Sequence, residues 1–225
     1  MSVTETTTTT TANELAQHLL ALLGKYPASR RVIVAIAGGP GSGKSHISQL
    51  VCQAVNKAED IAVVVPMDGF HLPRAHLLAM EDPELALRRR GAPWTFDAKG
   101  FVAAIKDVHK NSTVVNVPAF DHAAGDPVFD AIAVKPQHRI VLVEGLYAHV
   151  SEEPWAQVGR SLADELWWIQ PANAEASYER LVGRHVAAGL APDRRAAEER
   201  IASNDALNGA YAEQTRLVAT RTILN

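Results

Sequence analysis

The stretch AIAGGPGSGKSHIS, Ala35–Ser48, decides the architecture of this 225-residue chain. It begins at the end of RRVIVAIAG, an apolar, β-branched run with no polar alternation, as expected of a strand buried on both faces. It ends in a helical pattern that continues to about Lys57. Between the two, Gly38-Gly39-Pro40-Gly41-Ser42-Gly43-Lys44-Ser45 fits G-x-x-x-x-G-K-[ST] at every fixed position. Glycines let successive N–H groups turn inward as an anion nest, and the helix that follows adds the partial positive charge of its N-terminus. The expected phosphate cradle is Gly39, Gly41, Ser42, Gly43, Lys44, Ser45 and His46. Lys44 is placed to reach the β- and γ-phosphates of ATP, and the Ser45 hydroxyl to ligate Mg²⁺.

Outward from this loop, strand and helix patterns alternate. IAVVVPMDG and HRIVLVEGLYA read as further buried strands, ELWWIQ as a fourth, STVVNVPAFD as a strand and TRTIL as a last one. AIAVKP reads as a short strand or edge. Asn13 is a candidate cap for a first helix ending near Leu23, and Asp97 for a helix over AKGFVAAIKDVHK. NAEASYERLVGRHVAAG and DRRAAEERIASNDALNGAYAEQTRL are helical. The fold class predicted is α/β, with a mostly parallel central sheet flanked by helices. The Thr-rich residues 1–11 read as a disordered tail and 12–225 as one domain.

Composition narrows the function classes. Net charge is −3, so no broad basic surface is implied and nucleic acid is not the expected partner. No apolar run approaches the ~20 residues of a membrane span, and the start lacks the basic region of a secretory signal. A cytoplasmic protein is expected. The single cysteine, Cys52, excludes an intramolecular disulfide and reads as a small buried hydrophobe. The nine histidines show no zinc-site spacing.

A phosphate loop alone does not choose between switch, motor and kinase. The guanine-reading N-K-x-D is missing: NKAE, Asn56–Glu59, has Glu where Asp is required and lies too early. The strand IVLVEG ends in a lone acid, Glu144, suited to holding Mg²⁺ but without an adjacent water-polarising acid. A small-molecule kinase needs a carboxylate for the acceptor hydroxyl, and Asp68, ending the second strand, is the candidate. The same Asp-Gly pair can equally cap a turn. Arg180 and Arg184 share one helix face and can close over phosphates as a lid; the bland alternative is a solvated pair with Glu175 or Glu179. Trp94 and Phe96 line a pocket or simply follow the turn at Gly91 and Pro93, and Tyr147 either faces the acceptor or packs under the loop.

Taken in order, GGPGSGKS, MDGFHLP, RRGAPWTFD, VPAFDH, VEGLYA, RLVGRHVAAGL and SNDALN resemble the P-loop kinases of the phosphoribulokinase/uridine kinase family, in its pantothenate-kinase-like or sugar/nucleoside-kinase-like branch. The resemblance spans about 32–208. It implies a P-loop NTPase fold with a helical lid over roughly 180–200, and an ATP- and Mg²⁺-dependent kinase acting on a small hydroxyl-bearing molecule. By position it assigns Asp68 as base, Glu144 as the acid near Mg²⁺, and Arg180 and Arg184 as lid cations. His122, and with it His71 and Phe120, fall in the acceptor pocket, and Asn208 near the adenine. Homodimers are common in that family. VPAFDHAAGDPVFD departs from the Tyr- and Arg-bearing acceptor segment of uridine kinases, and RRR at Arg88–Arg90 is the only basic cluster suited to a sugar phosphate. The alternative is an NTP-hydrolysing switch or binding module with no small-molecule acceptor.

Overall fold

Uninterrupted apolar runs become the inner strands of a parallel sheet, because a strand covered on both faces has no use for alternation. The computed structural model describes residues 3–225, with side chains from Thr11 onward. The first half of the chain runs α1 (Val3–Leu23), β1 (Val32–Ala37), α2 (Lys44–Val55), β2 (Ala62–Pro66), α3 (Arg74–Leu78), α4 (Pro83–Arg88) and α5 (Ala98–Lys110). The second half runs β3 (Val115–Asp121), β4 (Asp126–Val134), β5 (Ile140–Glu144), β6 (Glu165–Gln170), α6 (Ala174–Ala187), α7 (Arg194–Arg200), α8 (Ala206–Thr215) and β7 (Arg221–Leu224). A π-helical turn, Ile201–Asp205, joins α7 to α8.

The main sheet has the order β2-β5-β1-β6-β7, all parallel. Alternate β1 residues feed two cores. Ile33, Ala35 and Ala37 pack with Val141, Val143, Phe101 and Trp155 on the α5 side. Val32, Val34 and Ile36 pack with Leu142, Trp167, Leu19 and Val51 under α1 and α2. Each large side chain buried in these layers contributes roughly 1.5–3 kcal/mol. Both Trp167 and Trp168 are buried in β6. Leu181, Val182, Ala191, Ala197 and Ile201 form a third, small core shared by α6, its link to α7, α7 and the start of the π-helical turn.

Register is what positions the site. Glu144 aligns with Ile36 of β1 on one side and Pro66 of β2 on the other. The chain turns out of all three strands at one level, and the phosphate loop, the Met67–Phe70 turn and Glu144 share that edge. Ligands in open parallel sheets bind beyond this carboxyl edge.

Three expectations are corrected. The first helix starts at Val3 and not at an Asn13 cap, so it runs through the Thr-rich segment assigned to a disordered tail. β-Branched threonines are poor helix nucleators, but extending a helix already anchored through Leu15 and Leu19 is far easier than starting one. Asn13 instead accepts from the Lys57 ammonium at 3.2 Å. The AIAVKP edge is the end of nine-residue β4, which pairs antiparallel with β3 as a separate two-stranded hairpin. Among the described residues, no helix is long and apolar enough to cross a membrane.

Candidate active site

The loop after β1 is shaped as a cradle. Gly41 and Gly43 have φ of 77° and 85°, values that L-residues rarely adopt. Gly43 caps α2 with no side-chain hydrogen bond, and no acid occupies the first turn of the helix. The opening amides of α2 therefore have neither a capping oxygen nor a local carboxylate to compete with an anion. The Ser42 amide closes the loop onto the Gly39 carbonyl at 3.1 Å, and the buried Ser42 hydroxyl has no partner among the described residues. Two distant segments brace this backbone. Ser177 Oγ donates to the Gly41 carbonyl at 2.6 Å, and Asn225 Nδ2 donates to the Ser42 carbonyl at 2.9 Å.

A cleft of about 650 Å³ opens over the cradle. Lys44, Ser45, His46, Arg180, Arg184 and Asn225 are among the residues that line it. α6 thus presents both arginines to the phosphate loop, and Arg180 reaches the Gly41 carbonyl at 3.5 Å. Glu179, the expected bland partner, is taken by Arg194 at 2.6 and 2.8 Å.

Behind the loop stands Glu144, buried, accepting from Ser45 Oγ at 3.2 Å on both carboxylate oxygens. Burial pushes its carboxyl up to about 7; the charge of Asp68 adds to this, while Lys44 and the Ser45 hydroxyl oppose it. Asp68, Glu144 and Lys44 are thus close enough to feel one another. Among the described residues, no group of three or more His, Cys, Asp or Glu could hold a metal ion. A hydroxyl and a carboxylate at the mouth of a phosphate cradle suit a cation that takes its remaining ligands from phosphate and water, which is how Mg²⁺ binds.

Asp68 sits in a 3-10 turn, Met67–Phe70, half-buried, its carboxylate making no hydrogen bond among the described residues. The glycine beside it has its own structural reason. A Cβ on Gly69 would run into the Pro118 carbonyl, so Gly69 is there for the close approach of β3. Beside Asp68 an aromatic wall rises. His71 Nδ1 donates to the Asp68 carbonyl at 2.8 Å. Its ring lies 4.0 Å from Phe96 and 4.8 Å from Phe120, and Phe120 lies 5.2 Å from His122. Burial lowers the His71 pKa from the usual imidazole value, against the pull of Asp68. Phe120 and His71 are half-buried, and His122 is exposed at the rim.

Two of the predicted site residues do not serve as expected. Tyr147 is fully buried, and its hydroxyl donates to the Gly91 carbonyl at 2.6 Å. It packs under the loop and holds the 89–93 turn instead of facing an acceptor. Asn208 is also buried, accepting from Arg89 at 3.0 Å and donating to Asn204 at 3.2 Å. Its amide ties α8 to that same turn and presents no edge to a base. Trp94 is exposed at 47%, whereas Phe96 is buried behind His71. Sequence reasoning missed Ser177, Asn225 and Asp126. None belongs to a local motif, and the β6–β7 pairing and the β3–β4 hairpin bring the last two into place.

No protein-family profile matches the chain. Individual relatives do. ATP-dependent kinase-like protein notR' of Aspergillus versicolor is 44% identical over 155 residues, covering 67% of this chain and 89% of that protein. A Schizosaccharomyces pombe protein provisionally named uridine kinase C227.14 is 37% identical over 188 residues, covering 82% and 79%. Among solved structures, one from Silicibacter sp. TM1040, provisionally described as a fructose transport system kinase, superposes with a TM-score of 0.77 at 34% identity. That alignment covers 93% of this chain and 98% of the other.

Proposed function

Because the chain belongs to the uridine-kinase-like family of ATP-dependent P-loop kinases, we propose that it transfers the γ-phosphoryl group of ATP to a hydroxyl of a small polar metabolite. The observation that carries this reading is the shared strand-end register. At that edge the charges of Asp68 and Lys44 both bear on Glu144, which also accepts from Ser45, and this supports one carboxylate for the acceptor and another behind the phosphate cradle.

In this reading the open amides of α2 and the Lys44 ammonium hold the β- and γ-phosphates. Ser45 and Glu144 hold the Mg²⁺ that accompanies ATP, which supplies charge neutralisation at the phosphate oxygens. The acceptor hydroxyl lies between Asp68 and the His71–Phe120 wall. Asp68 takes the hydroxyl proton as the oxygen–phosphorus bond forms, while the bond to the β-γ bridging oxygen breaks and ADP leaves with that electron pair. Arg180 and Arg184 approach from α6 and offset charge on the transferring group. Their helix is held to α7 by a core separate from that of the sheet, which suits a part that closes only when both substrates are present.

The deciding experiment is ADP release from the full chain with and without candidate hydroxyl acceptors, in the wild type and in Asp68→Asn. A kinase shows acceptor-dependent release that the substitution abolishes while ATP binding persists. Hydrolysis indifferent to every acceptor and to the substitution would sink the reading in favour of a switch. One relative is named for uridine and another for a fructose transport system, and the proposal stops at the hydroxyl class.

A further inference from the structure

The cations around the acceptor wall are already spent, and from this we infer that the acceptor is an electrically neutral polyhydroxy compound and not a phosphorylated sugar or a carboxylic acid. The inference rests on the kinase reading above and narrows its substrate class.

Of the basic run Arg88–Arg90, two members turn inward. Arg90 pairs with Asp126 at 2.7 Å, with its side chain only 11% exposed. It also donates to the carbonyls of Leu72, at 3.1 Å, and Gly125. Its guanidinium lies over the Phe120 ring, 5.4 Å from the centroid, so it stands at the wall itself. Arg89 gives its donors to the Ser203 carbonyl at 2.7 Å and to Asn208 at 3.0 Å. Arg88 is exposed. The charges that bear on His71 come from Asp68, Arg90 and His122, and the one guanidinium among them is neutralised by its own carboxylate. An anionic ligand at this wall would meet Asp68 with neither Arg89 nor Arg90 free to offset its charge. Like charges set against each other in a poorly solvated site exclude a ligand more strongly than they do in water.

Hydrogen-bond polarity points the same way. The Asp68 carbonyl can only accept, so in the neutral His71 ring the proton sits on Nδ1 and the Nε2 lone pair is left for a donor. With the Asp68 carboxylate, the wall therefore offers acceptors, and a ligand rich in O–H groups satisfies them. Phosphates and carboxylates bring acceptors where donors are wanted. The half-buried face of Phe120, between His71 and His122, gives the C–H face of such a ligand an apolar surface.

The test is acceptor-dependent ADP release by the full chain. Fructose, ribose and uridine are set against fructose 6-phosphate, ribose 5-phosphate, glycerate and pantothenate. The expected result is turnover of at least one neutral compound, with every anionic compound at least about tenfold lower in kcat/KM. An anionic acceptor used as well as the neutral ones overturns the inference and leaves the kinase reading standing. Acceptor-independent release across both sets overturns the kinase reading and takes this inference with it. Asp126→Asn supplies a second readout, because it keeps the oxygen that accepts from the Arg74 amide at 2.8 Å while unpairing Arg90. In a variant that still binds ATP and melts cooperatively, the preference should narrow by about tenfold as a cation is released into the wall. Unchanged discrimination in that folded variant overturns the inference.

Discussion

The phosphate loop and the acceptor wall we propose are built differently. The phosphate side is made of backbone contributed by one continuous segment, Gly38–Ser45, and it presents amides, a lysine and a hydroxyl. The acceptor side is made of side chains drawn from the Met67–Phe70 turn, His71, the 89–96 turn and the β3–β4 hairpin. A cradle made of backbone tolerates many neighbours and grips any nucleoside triphosphate. A wall made of distant side chains can be respecified one residue at a time.

That contrast can be broken experimentally, most sharply at Asp68. Asp68→Asn should lower kcat by about 10²–10⁴-fold while leaving ATP affinity unchanged by calorimetry. A matching loss of ATP affinity would mean that the two sides are not separable. Arg184→Ala, on the lid face, should lower kcat by about 10²-fold, with less effect on the ground-state affinity for ATP.

Acidity should separate the two sides as well. Glu144 titrates near 7 because burial disfavours its charge. A metal ligand must be deprotonated, so affinity for Mg²⁺-nucleotide should weaken by about tenfold per pH unit as pH falls below that value. In Glu144→Gln this dependence should disappear. Burial lowers the His71 pKa from the usual imidazole value, against the charge of Asp68, so it should gain its charge at lower pH than Glu144 does, and acceptor KM should not follow the nucleotide curve. A shared inflection in both curves would count against the separation. The smallest effect is expected at Asn225. Removing its amide from the Ser42 carbonyl by Asn225→Ala costs one partly buried hydrogen bond, and KM for ATP should rise about threefold to tenfold.

How much of this was legible in the chain follows from the same contrast. The phosphate loop could be read directly, because its function lies in a contiguous pattern and its flanking strand and helix announce themselves by periodicity. The inner strands were legible for the same reason. From the residues alone Asp68 allowed two equal readings, turn cap or base, and the family resemblance favoured the base; the packing of Gly69 on Pro118, residues 49 apart in sequence, was not legible at all. Tyr147 and Asn208 looked like site residues because they lie in motifs beside the site, yet each spends its polar atoms on the 89–93 turn or its neighbours. A motif locates a neighbourhood, and only packing says which way a side chain turns within it. Arg90 illustrates the converse. Its charge is evident in sequence, but its neutralisation by Asp126 depends on a hairpin register that no local pattern specifies.

The contact of Gly69 with Pro118 has one more consequence. The turn carrying Asp68 and the hairpin carrying Phe120 and His122 meet backbone to backbone, so a shift of one is felt by the other. If the proposed roles hold, alignment is insulated from changes of taste: new side chains at positions 120 or 122 would alter which molecule is welcomed, while main-chain contact keeps the spacing of the hairpin from Asp68.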